Sequence, residues 1–296
     1  MVQAQSTVRQ PARVSGPRGR THTAVRERRI GAARRTLRTV ARAAMVQAHE
    51  AALLLSVPAT APVRLIRGDH GPADRVSRLT DSCAAAATPV LLVHGFGGAK
   101  SSWSSIAQAL SAKGLSVDAM TSAPVGNTVE QLADKLVAHV EQMLSRTGAA
   151  KVHLVGHSLG GVVVAQAISD PRLKGRVETV ITLGSPFGGS PWAGMLPVVD
   201  MVRALRAGSP LLTRLACTPL PDGVRWLSVT AGLDIVVPGL RSVPPHPRAE
   251  HVTVSGVGHL GMLLSRRVIG YITAALCPDG SATGAEPATP VLRHAS

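Results

Sequence analysis

The chain has 296 residues, 45% of them apolar and only 2% Phe, Trp or Tyr, enough for one large domain or two small ones with a core of Ala, Val and Leu. No apolar run reaches the roughly 18 residues of a membrane-spanning helix, and no C-x-x-C or Cys/His cluster points to a metal site. The net charge is +15, yet residues 1–80 hold fifteen arginines against four acidic residues, so the basic character belongs to an N-terminal extension and not to the rest of the chain.

Within that extension, residues 1–25 lack any helical or strand period and read as disordered. From Glu27 to Leu55 a helix is expected, with Ile30, Leu37, Val40, Met45 and Leu53 on an irregular apolar face beside Arg34, Arg35, Arg38 and Arg42. Three readings compete there. It is a helix that packs on the following domain, a basic amphipathic segment that touches an anionic membrane surface, or a signal peptide with Met45 as the true start and Ala59-Thr60-Ala61 as its cleavage site. Nucleic-acid binding is not expected, because no aromatics interleave with the arginines.

A domain spanning 81–277 follows, and a polar tail, 278–296, closes the chain. Strands are predicted at Pro89–Val93, Leu115–Met120, Lys151–Val155, Val177–Leu183, Arg225–Ala231 and His251–Ser255. Helices are predicted at Ser101–Lys113, Gly161–Ile168 and Gly261–Leu276. Another begins at Thr128, where Gln131 three residues on completes a capping box, and ends at Gly148. Alternation of strands and helices implies an α/β fold, a mainly parallel sheet with helices on both faces. In such sheets reactive groups gather beyond the carboxyl ends of the strands.

The chemistry centres on Gly156-His157-Ser158-Leu159-Gly160, a G-x-S-x-G between a strand and a helix. That context makes a nucleophile elbow, in which a side chain at Gly156 or Gly160 would collide with neighbouring backbone. Serine needs a base and a group to orient that base. His259, in a Gly-rich loop after the last strand, is the expected base, ahead of His251 and His246; His94 and His157 read as structural. Asp234 follows the strand Arg225–Ala231 and is the expected acid, whereas Asp222 precedes that strand and falls at the wrong end of the sheet. Oxyanion donors are expected from the backbone N–H groups of Leu159 and Phe96.

Four stretches, P-V-L-L-V-H-G-F-G-G, V-G-H-S-L-G-G, V-I-T-L-G-S-P and G-V-G-H-L-G-M-L-L-S, resemble the bacterial lipases and esterases of the α/β-hydrolase superfamily. The likeness runs from Pro89 to Leu276 and implies the α/β-hydrolase fold, a Ser158–Asp234–His259 triad, no metal and no organic cofactor. Two departures stand out: Phe187 follows Gly184-Ser185-Pro186 where related lipases often have His, and the extension does not carry the clear secretion signal common in the family. The compartment is not fixed: an extracellular or cell-envelope location is inferred only from the resemblance and the allowed disulfide, and a cytoplasmic one stays open. The expected function is a serine carboxylic-ester hydrolase acting on lipid or other apolar esters. The alternatives are acyl transfer on the same triad and a non-catalytic hydrolase-fold scaffold with a membrane-binding extension. Residues 187–223 are longer than an ordinary connection and read either as a small cap over the serine, through Met195, Leu196, Val199, Val202 and Leu205, or as extra core helix. Three cysteines allow one disulfide, with Cys217–Cys277 the preferred pairing, and the odd count leaves a thiol over.

Overall fold

The computed structural model describes residues 44–45, 88–98, 100–120, 126–195 and 200–277. The extension, apart from Ala44 and Met45, therefore lies outside the described residues, as do Cys83, Leu196, Val199 and the tail. Six strands, β1 (Val90–Val93), β2 (Val117–Met120), β3 (Val152–His157), β4 (Val177–Leu183), β5 (Arg225–Ala231) and β6 (Glu250–Val254), form one sheet in the order β2-β1-β3-β4-β5-β6. Every pairing is parallel. All the loops that leave the strands' carboxyl ends therefore share one edge, and the site is assembled there.

The central strands are buried on both faces, which is why they read as continuous apolar runs. In β1, Leu91 and Val93 face one core while Val90 and Leu92 face the other. Helices α1 (Ser104–Ser111) and α7 (Arg266–Leu276) cover the second of these. Helices α2 (Val129–Thr147) and α3 (Leu159–Ala167) cover the first. The capping box of α2 is complete: Thr128 Oγ1 accepts from Gln131 N–H at 3.2 Å, and Thr128 N–H donates to Gln131 Oε1 at 2.8 Å. Gly148, in the left-handed conformation at φ 70°, ends the same helix.

Several boundaries differ from expectation for local reasons. Strand β3 runs two residues further, through His157, because His157 still pairs with Leu183 of β4. The expected first helix opens with a 3-10 turn, Lys100–Trp103, before α1. The closing helix is split into a 3-10 turn, Leu260–Leu263, and α7, because the Ser265 side chain caps a fresh helix start at Val268 N–H.

Among its described residues, the segment 187–223 holds three short helices, α4 (Trp192–Met195), α5 (Asp200–Ala204) and α6 (Pro210–Cys217). Leu211, Leu212 and Leu215 of α6 bury their side chains in the core that α2 and α3 share, and Arg214 pairs with Glu130 of α2 at 2.6 Å. The expected bridge does not form: Cys217 and Cys277 are both free thiols. Cys217 ends a helix on the α2/α3 side, whereas Cys277 packs with the α1/α7 side, so the sheet stands between them.

Candidate active site

The turn after β3 is made by exclusion. A Cβ on Gly156 would sit 2.6 Å from the Cα and N of Gly161, and one on Gly160 would meet the carbonyl oxygens of Val93 and His94. With both positions stripped to hydrogen, the chain turns from strand to helix in one residue. That residue is Ser158, at φ 54° and ψ −124°, the only non-glycine with positive φ among the described residues. Such a conformation typically stores about 1–3 kcal/mol and persists only where neighbours over-determine it. Here Ser158 N–H is tied to Leu183 O at 2.9 Å and Ser158 O receives Gly161 N–H at 3.0 Å. The serine thus stands at the N-terminus of α3, where the helix dipole favours negative charge.

Two further glycines that the sequence did not single out keep the site open. A Cβ on Gly95 would come within 2.8 Å of Ser158 Cβ, so only glycine lets the loop after β1 lie against the serine. A Cβ on Gly184, whose φ is 56°, would come 3.1 Å from Asp234 Oδ2 and 3.2 Å from His259 Nδ1. The signal was present in both cases as a glycine one or two residues past a strand end.

His259 and Asp234 meet directly. His259 Nδ1–H donates to Asp234 Oδ2 at 2.8 Å, and their side chains are 3% and 0% exposed, so water does not compete for this bond. The other carboxylate oxygen, Oδ1, accepts the N–H groups of Val236 (2.8 Å) and Val237 (2.7 Å), which fixes the acid against rotation. With Nδ1 engaged as the donor, Nε2 of a neutral His259 is left as the lone-pair nitrogen, which is what a base requires.

The loop carrying the acid is in turn held by the start of the 187–223 segment. Ser190 Oγ donates to Val236 O at 2.5 Å, the Trp192 indole N–H donates to Ile235 O at 2.8 Å, and Gly188 N–H donates to Arg241 O at 2.7 Å. No periodicity or motif marks Ser190 or Trp192 for this task.

The remaining histidines go elsewhere. His251 bonds to Thr230 Oγ1 within β6 and β5 at 2.7 Å, and His246 packs on Trp226, near the start of β5. His94 Nδ1–H donates to its neighbour's carbonyl, Gly95 O, at 2.9 Å. His157 is buried and points its Nε2–H at the carbonyl of His259, 3.0 Å away. Burial above all, then the charges of His259 and His94, push its pKa down to about 3 against the effect of that hydrogen bond, so His157 is neutral at ordinary pH.

For the oxyanion, Leu159 is the first residue of α3 and has no partner inside the helix for its N–H. Phe96 sits in the turn closed by Gly98 N–H to Gly95 O at 3.1 Å. The expected acid and base are therefore in contact. The expected serine lies next in chain to His157, whose ring packs against His259; of the two expected donors, Leu159 follows the serine in the chain and Phe96 follows Gly95, which lies against it.

The sequence pattern of the alpha/beta hydrolase fold family matches residues 88–229. A triacylglycerol lipase of Pseudarthrobacter phenanthrenivorans is 34% identical over 122 residues, which cover 38% of this chain and 37% of that protein. A triacylglycerol lipase of Vibrio cholerae is 29% identical over 181 residues, covering 59% of this chain and 52% of that protein. The chain thus spans between a third and about half of the length of the curated relatives it matches. Among solved structures, the mature Bacillus licheniformis lipase BlEst2 superimposes with a TM-score of 0.58 at 18% identity, covering 67% of this chain and 94% of that one, a likeness of fold.

Proposed function

The chain belongs to the α/β-hydrolase superfamily, and we propose from that premise that it hydrolyses carboxylic esters through Ser158, His259 and Asp234. The observation that carries the proposal is the pairing of one strained serine at a strand-to-helix turn with a fully buried His–Asp hydrogen bond at the same edge of the sheet. A bystander serine has no use for a positive φ, and a buried imidazole–carboxylate pair is costly to desolvate unless both partners are needed.

In this reading Ser158 Oγ attacks the ester carbonyl carbon while His259 Nε2 takes the hydroxyl proton. Asp234 stays ionised, keeps the proton of His259 on Nδ1, and stabilises the imidazolium. The negative charge on the former carbonyl oxygen is received by the N–H groups of Leu159 and Phe96; one such donor is typically worth about 10²–10³ in rate. Collapse breaks the carbon–oxygen bond to the alcohol, which leaves with the proton from His259. Water then attacks the acyl-Ser158 ester, gives a proton to His259, and releases the acid as the serine recovers its own.

Apolar esters, lipid esters among them, are the substrate class the surroundings favour. Four exposed large apolar side chains, Phe96, Trp192, Leu240 and Leu264, come from four different connections, each leaving the carboxyl end of a strand. The test is turnover of p-nitrophenyl butyrate and palmitate by the protein and by Ser158→Ala. Loss of the nucleophile should reduce kcat on the order of 10⁶-fold on both esters. Turnover that survives in the variant would place the nucleophile elsewhere and sink the proposal.

A further inference from the structure

Once Ser158, His259 and Asp234 are assigned, the fully buried imidazole of His157 is left without a role in the chemistry. We propose that His157 is a positioning residue for the base: it fixes the main chain of His259 relative to Ser158, its own neighbour in sequence. The inference rests on the triad reading above.

His259 reaches the site on a loop, Ser255–Gly258, that contains two glycines, one of them at φ 71°. The bond from its Nδ1 to Asp234 anchors one ring atom, and a ring held at one atom still pivots about it and slides with its loop. The second constraint acts on the backbone. His157 Nε2–H donates to the carbonyl oxygen of His259 across 102 positions of sequence, at 3.0 Å. The two rings also lie against each other, with centroids 4.7 Å apart and planes tilted by 46°. On its other side His157 meets Trp103, ring centroids 6.5 Å apart and edge to face. His157 therefore cannot turn away, and its support is firm: it is the last residue of β3, registered on Leu183, whose carbonyl also holds Ser158 N–H.

The choice of side chain is chemically specific. A cation at this distance would oppose the positive charge that His259 takes up in each half-reaction, so a lysine or arginine donor would defeat the base. An apolar ring would fill the space but leave a buried carbonyl unpaired. A neutral imidazole supplies the donor without the charge, and burial keeps His157 in that state. A core histidine that merely satisfies itself could bond to any carbonyl; this one bonds to the carbonyl of the base.

The test compares His157→Leu, which keeps apolar volume and removes the donor, with His157→Gln, which carries an N–H near the place of Nε2. Reactive serines are counted by stoichiometric release of p-nitrophenol from a phosphonate ester, so that rates refer to folded sites. The Leu variant should lose about 10–100-fold in kcat, the scale of a misplaced reacting group, with KM within about two-fold of the original. The Gln variant should recover most of that loss. A Leu variant with undiminished kcat, or a Gln variant as slow as Leu, overturns the proposal. Should Leu fail to fold, His157→Asn replaces it: its donor falls short of the carbonyl, so Asn must be slower than Gln, and equality of the two overturns the proposal equally. A His259→Ala variant assayed alongside separates the two levels of inference, since turnover retained there removes the triad reading itself.

Discussion

The turn around Ser158, Val152–Ala167, and the segment 187–223 contribute to the same hydrophobic core and are held by opposite means. The turn is defined by what cannot fit. Gly156, Gly160 and Gly161 each lie so close to other atoms that a side chain at any of them would meet backbone or a buried serine. The later segment is defined by what it reaches. Ser190, Trp192 and Arg214 tie it to Val236, Ile235 and Glu130, and the leucines of α6 rest on α2 and α3. Steric exclusion acts steeply, because interiors are close-packed and an added atom forces a costly shift of backbone. Polar ties and apolar faces weaken by increments. A catalytic serine needs the first kind of support, and a surface that adapts to substrate can be built from the second.

The sharpest way to break this contrast is Gly160→Ala. The added methyl would lie 2.8 Å from His94 O and closer still to Val93 O, backbone atoms at the point where β1 passes into the loop that carries Phe96. Overpacking of this kind typically costs about 1–3 kcal/mol, occasionally more. It also displaces the N–H of Leu159, so turnover per folded molecule is expected to fall by about 10²-fold or more. Thermal unfolding and p-nitrophenyl butyrate turnover measured together would check both. A variant with normal turnover would mean that the turn tolerates a side chain and that exclusion does not define it.

The same contrast explains what could be read in the sequence. The turn was legible because its causes are local: two glycines, a serine and an apolar strand within thirteen residues of each other, Val152 to Val164. The capping box of α2 was legible for the same reason, since Thr128 and Gln131 satisfy each other. Asp234 could be preferred to Asp222 because strand polarity decides which end of β5 each occupies. The rest depends on which residues meet across long separations. Nothing near Trp192 announces a bond to Ile235, and nothing near His157 announces the carbonyl of His259. The disulfide expectation failed on the same point: spacing does not tell on which side of the sheet each cysteine lies.

His157 adds a side-chain tie to the turn, and acid exposes it. Its folded pKa is about 3 against an ordinary 6.5. Below pH 6.5 the unfolded chain takes up a proton that the folded protein refuses, so stability contributed by the neutral form is lost as pH falls from 6.5 towards 3. For one proton the slope is at most about 1.4 kcal/mol per pH unit. Burial also lowers His153, His246 and His251, chiefly or solely by desolvation. For Asp118, burial pushes the pKa up and is outweighed by hydrogen bonds from His139 and Ala119 N–H and by the charges of His139 and Lys100, which bring it from 3.8 to about 2; its contribution is lost as pH falls through 3.8 towards 2. All of these groups are common to the protein and to His157→Gln. The difference between their urea midpoints, followed from pH 7.5 to about 4, therefore isolates residue 157. The Gln variant should show the shallower decline. Parallel curves would mean that His157 carries its proton in the folded state, and the neutral-donor argument would fail.

The smallest expected effect comes from the same substitution as the first, moved to the other region. Gly194 lies in α4, away from the left-handed conformation, and among the described residues a Cβ there would meet nothing within 4 Å. Alanine inside a helix is favoured over glycine by up to about 1 kcal/mol, and the gain is limited here because α4 is a single turn. Gly194→Ala is thus expected to leave turnover unchanged and to raise the unfolding midpoint by no more than about 3 °C. Set beside Gly160→Ala, it separates a glycine required by contact from one that is merely tolerated. Lost turnover on the palmitate ester, with the butyrate ester unaffected, would break the symmetry differently. It would put a methyl group at position 194 in the path of a long acyl chain, and so favour the cap reading of 187–223 over the reading in which the whole segment is core.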